Sequence, residues 1–157
     1  MLRRFAILGL LGATLTGCSY GYDILAVARD GRLIFIVDPN SPREPSCLRS
    51  VEVVARDGAK AQPEAGDDLG RIGYGTFWSE RVSFDDDCAN TFPLTYGTTL
   101  QGQHETDGGM VKPKPLVRGT VYEISTTTGA TGYGRGQFVV HVDGRIENVK
   151  AETGSPS

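Results

Sequence analysis

From residue 23 onward, short runs rich in Val, Ile, Thr, Tyr and Phe alternate with polar stretches rich in Gly, Pro and Asp. Such side chains suit a pleated, half-buried surface, and Asx-Gly pairs supply the positive φ of tight hairpin turns. The pattern predicts strands over 23–28, 32–37, 47–55, 74–79, 94–100, 119–127, 137–142 and 145–149. Asp30-Gly31, Asp57-Gly58 and Asp143-Gly144 mark turns. Every position of 33–37 is apolar, as in a central strand buried on both faces. In 137–142, Phe138, Val140 and Val142 share one face, so His141 points outward. No window shows a helical period. The connections 38–46, with three prolines, and 59–73, 80–93 and 101–115 read as loops, and 129–136 as a glycine-rich link.

Seven strands plus one extra make an all-β domain over 23–149, followed by a flexible tail over 150–157. The stretch Leu116-Val117-Arg118-Gly119-Thr120-Val121-Tyr122 is similar to the corner before strand F of fibronectin type III domains. There a leucine, a glycine and a tyrosine precede the strand, and the tyrosine hydroxyl returns to the backbone over a motif of about 20 residues. The resemblance implies an immunoglobulin-like or fibronectin-like antiparallel β-sandwich of seven or eight strands; a small β-barrel is the alternative. The order A-B-C-C′-E-F-G would gather 38–46, 80–93 and 129–136 at the end where strand A starts. Loops 59–73 and 101–115 would then project from the far end.

The N-terminus carries a different signal. Arg3 and Arg4 precede an apolar run over 5–15, too short to span a bilayer, which takes about twenty residues. The run closes on Leu15-Thr16-Gly17-Cys18, which resembles the lipobox of bacterial lipoprotein precursors. The resemblance implies removal of 1–17, acylation of the Cys18 thiol, and a short tether over 18–22. Two or three acyl chains anchor firmly, because each buried CH₂ contributes about 0.8 kcal/mol. An ordinary cleaved secretory signal is the competing reading. Ser19 stands where an aspartate would retain a lipoprotein in the inner membrane, so the expected location is the periplasmic face of the outer membrane.

Loss of Arg3 and Arg4 takes the formal charge from −3 to −5, which argues against nucleic acid and against a polybasic lipid-binding surface. With Cys18 acylated, Cys47 and Cys88 remain as a pair in an oxidising compartment. Closing that loop would stabilise the chain by up to ~4 kcal/mol.

Catalytic and cofactor signals are weak. Residues 129–136 contain glycines spaced like a phosphate loop, but a strand follows where a helix N-terminus is needed. Asp85-Asp86-Asp87 lacks the spaced carboxylates and closing glutamate of a calcium loop. His104 and His141 have no ligand spacing around them. The expectation is therefore a non-enzymatic envelope lipoprotein, with no cofactor or metal, that binds or scaffolds another envelope protein. Partner contacts are expected on 101–115, through His104, Met110, Lys112 and Lys114. A periplasmic inhibitor or small-ligand-binding module is the second reading, and a hydrolase with a scattered site the third.

Overall fold

The computed structural model describes residues 19–105, 109–129 and 131–150. Its elements are β1 (Tyr20–Arg29), β2 (Arg32–Val37), β3 (Ser50–Ala55), α1 (Leu69–Tyr74), β4 (Thr76–Arg81), β5 (Leu94–Thr95), β6 (Val121–Thr127), β7 (Gly132–Val140) and β8 (Ile146–Val149). The strands join edge to edge in the order β4-β3-β6-β7-β1-β2-β5, a mixed sheet curled into a half-barrel. The expected all-β class holds. Neighbours run antiparallel except β1 and β7, which are parallel from Tyr20↔Gly132 to Asp23↔Arg135. From Ile24 onward β1 pairs with β2, and β8 takes over the vacated edge of β7 from Gln137.

Glycine permits that crossing. The segment 129–136, expected as a loop, is mostly strand. Its glycines keep side chains off a face that β1 must approach. A Cβ on Gly134 would stand 2.2 Å from the Tyr22 ring, and one on Gly136 would stand 2.0 Å from the Ile24 carbonyl oxygen. Where β1 and β8 part, Asn148 fills the gap as a third strand would. Its Oδ1 accepts from the Ala26 N–H at 2.7 Å and its Nδ2 donates to the Ala26 carbonyl at 2.9 Å.

The core lies inside the curl. Phe35, Phe138, Tyr122 and Phe77 form a continuous aromatic line, with centroid separations of 5.5, 5.6 and 5.1 Å. A register shift between Val53 and Val54 leaves Phe77 as an extra residue in β4, so Phe77 and Trp78 are both buried. Tyr122 also closes the corner anticipated from sequence: its hydroxyl accepts from the Val117 N–H at 2.7 Å. Glu80 faces the interior too. Its carboxylate takes the Trp78 Nε1–H at 3.1 Å and the Leu100 N–H at 2.9 Å.

Three stretches depart from the expected outline. The strand expected over 74–79 starts two residues later, at Thr76, because Tyr74 ends α1, which Asp68 caps by accepting from the Arg71 N–H and Gly75 terminates at φ 98°. Only Leu94–Thr95 of 94–100 is strand. Residues 101–115 do not project from the far end. Their described part runs antiparallel along the free edge of β4, with bridges Val82↔His104 and Ser79↔Val111 and a Lys114 N–H to Phe77 carbonyl bond of 2.9 Å. An open strand edge is a pairing hazard, and this ribbon covers it.

Candidate functional site

The disulfide forms as expected, Cys47 to Cys88 with Cα atoms 5.6 Å apart. It sits at the end where β1 starts, since Arg49 N–H bonds the Thr127 carbonyl and the Tyr20 N–H bonds that of Thr131. Residues around 38–46 and 83–88 meet there as well: Asp23 N–H bonds the Ser41 hydroxyl, and the Arg49 guanidinium holds the Ser83 and Asp86 carbonyls. Cys18 lies outside the described residues, and β1 begins at Tyr20, inside the stretch expected as tether.

The four residues expected to meet a partner do not form one exposed patch. Lys114 is 3% exposed, with Nζ 2.5 Å from Asp67 and 3.2 Å from Glu64. Asp67 also accepts the Lys112 N–H at 2.9 Å and the Glu64 N–H at 2.6 Å, which stitches 64–67 to the edge ribbon. Burial works against both charges, yet the Lys114 ammonium and the two backbone donors hold the Asp67 carboxyl below its ordinary value. Asp67 and Glu64 likewise hold Lys114 above its own. His104 is half-buried, and its Nδ1 has no hydrogen-bond partner among the described residues. Met110 is half-buried and its carbonyl accepts from the Asp68 N–H. Lys112 stays exposed, its ammonium on the Ala65 carbonyl. The ribbon is chiefly a structural edge cover. Its residues turn inward because β4 offers them unpaired backbone groups, a demand that no local pattern announces.

A cleft of about 580 Å³ opens on the convex face, between α1 and the outward side chains of β3, β4 and β6. Nothing in the strand pattern points to it, because one wall is α1, whose residues read as loop. Glu52 pairs with Arg71 at 2.6 Å and Arg56 stands 3.9 Å from Glu123, which leaves the carboxylate of Asp68, the α1 cap, as the unbalanced charge of the lining. Tyr74 stands at the rim, 88% exposed. The lining holds neither histidine nor cysteine, so the Ser–His and Cys–His pairings of acyl transfer are not formed there. Asp85, Asp86 and Asp87 do not converge. Asp86 accepts from the Gln103 N–H, and the Asp85 N–H bonds the Ser83 hydroxyl. Among the described residues no cluster of three His, Cys, Asp or Glu is placed to hold a metal, and no helix is long and apolar enough to cross a membrane. His141 pairs outward with Glu147 at 2.7 Å. Burial, partly offset by a hydrogen bond with Thr126, pushes the Tyr22 phenol up to about 12.

No family model, curated protein or solved structure matches this chain.

Proposed function

We propose that the protein is a lipid-anchored envelope lipoprotein whose β domain binds or scaffolds another envelope protein without catalysing a reaction. The observation that carries the reading is Leu15-Thr16-Gly17-Cys18 after a basic start and an apolar run, with a strand starting at Tyr20. A domain that begins two residues after its acylated cysteine has no reach: the intervening chain spans at most ~7 Å. It acts at the membrane surface, on the periplasmic face of the outer membrane. Partner contacts fall on the exposed Lys112 side of the edge ribbon and on the rim of the convex cleft. Labelled palmitate supplied to growing cells tests the anchor. The parent should incorporate it and fractionate with membranes, and Cys18→Ala should remain unprocessed or soluble. Membrane-bound, acylated Cys18→Ala protein would sink the reading. Crosslinking in intact cells then tests the partner.

We further propose that the curled sheet is an immunoglobulin-like sandwich. Assigning β1 to β7 as A-B-C-C′-E-F-G accounts for every strand pairing among them. A–B and B–E form one arm, and C′–C–F–G the other. β1 is shared, entering parallel to G and leaving antiparallel to B. The Tyr122 to Val117 bond supports the same assignment, since such a tyrosine corner marks the turn into strand F.

A further inference from the structure

Phe84 is 55% exposed, at the end where β1 starts. It is held there. The Arg49 guanidinium lies 5.4 Å from its ring centroid while donating to the Ser83 and Asp86 carbonyls on either side. On the other flank the ring comes within 3.7 Å of the position a Gly129 Cβ would take, in the β6–β7 turn. Two residues further along that turn, the Thr131 carbonyl accepts the Tyr20 N–H at 2.8 Å. A second aromatic–guanidinium pair flanks the start of β1, Arg43 at 5.6 Å over the Tyr20 ring. In the folded monomer the solvent-facing part of this ring buries no apolar surface. Beside a membrane it does, because aromatic rings and the apolar stems of arginine settle at the headgroup level.

We infer that this end, led by Phe84 with Tyr20, Arg43 and Arg49, docks on the interface of zwitterionic phospholipids and fixes the domain's orientation on the membrane. The inference rests on acylation of Cys18, which places the lipid within ~7 Å of Tyr20. The interfacial layer on each side of the hydrocarbon core is itself several ångströms deep, so Tyr20 enters it and the end it shares with Phe84 faces the membrane. Charge selects the lipid class. Glu44, Asp85 and Asp87 are exposed at this end and Asp86 is half-buried among them, so acidic groups outnumber Arg43 and Arg49; an anionic surface offers no advantage and an ammonium-bearing zwitterionic one suits both signs.

The test uses the full lipidated protein, purified in detergent and reconstituted into phosphatidylethanolamine–phosphatidylcholine vesicles containing dibrominated phosphatidylcholine. Phe84→Trp adds a fluorescent reporter at the docking end, and Tyr74→Trp adds one at the rim of the convex cleft. The buried Trp78 is the common background. Roughly half of the emission that Phe84→Trp adds should be lost to the bromines, since interfacial groups lie within reach of the upper acyl chains. The emission that Tyr74→Trp adds should be unchanged. Exchanging part of the lipid for phosphatidylglycerol should not deepen the quenching. Acyl label present with equal quenching in both variants overturns the docking and leaves the lipoprotein reading intact. Deeper quenching with phosphatidylglycerol overturns the zwitterionic assignment. Absence of acyl label overturns the lipoprotein reading, and the inference falls with it.

Discussion

Replacing Lys114 by Met should destabilise the domain by about 3 kcal/mol, because removing one member of a buried pair strands the other charge. The two side chains are 2% and 0% exposed, so solvent cannot substitute for the missing partner. The Lys112 and Glu64 N–H groups would still bond Asp67, which places the loss at the low end of the range for buried pairs. In thermal unfolding the shift is about 10 °C for a domain of this size. The pair also fixes where pH acts. Asp67 sits below its ordinary value when folded, so its contribution is present above the unfolded value near pH ~4 and is lost as pH falls through the folded one. Lys114 sits above its ordinary value, so its contribution is complete below pH ~10.4 and is lost as pH rises through the folded value. Lys114→Met should therefore erase the alkaline loss that this lysine causes in the parent. Urea unfolding of the parent, Lys114→Met, Asp67→Asn and the double variant gives the coupling directly. A Lys114→Met protein within about 0.5 kcal/mol of the parent would refute the argument, since that is the range of ordinary surface changes.

The remaining predictions concern the sheet. Gly134→Ala should cost about 3 kcal/mol, because its Cβ meets Tyr22 and Thr126 where neither can retreat. Gly73→Ala is the matched contrast: nothing stands within 4 Å of its Cβ inside α1, so the variant should gain up to about 1 kcal/mol. Equal effects at the two sites would show that glycine content, and not the β1–β7 approach, sets the outcome. Asn148→Ala should cost about 1–2 kcal/mol and speed hydrogen exchange of the Ala26 amide, since both backbone groups of Ala26 lose their partner.

What the sequence disclosed follows a physical divide. Period-two alternation and Asx-Gly turns are local, so β1, β2, β3, β6 and β8 are legible to within a few residues, as is the disulfide. The glycines of 132–136 mislead because glycine ordinarily marks a loop. Here their function is set by Tyr22 and Ile24, more than a hundred residues earlier, and no local rule can see that demand. α1 escapes notice for a different reason: six residues with one buried side chain, Ile72, are too short to display a period. Its caps, Asp68 and Gly75, are the available signal.

The edge ribbon is the deeper case, because it changes what a long polar segment means. Read alone, 101–115 is a loop whose length costs little and whose charges invite partners. Set against β4, the same residues supply the hydrogen bonds that Phe77 and Ser79 lack, and Lys114 turns its charge inward to Asp67. Shortening the segment would uncover the strand carrying Phe77 and Trp78 at the centre of the core, so the tolerance expected of a surface loop does not extend to it. The candidates for recognition are consequently the surfaces the fold does not consume: exposed Lys112, the cleft rim at Tyr74, and Phe84 at the end where β1 starts. Of these, Phe84 is the one tied to the start of β1: its ring lies against Gly129 in the β6–β7 turn, whose Thr131 carbonyl holds the Tyr20 N–H, two residues of backbone from the proposed anchor at Cys18.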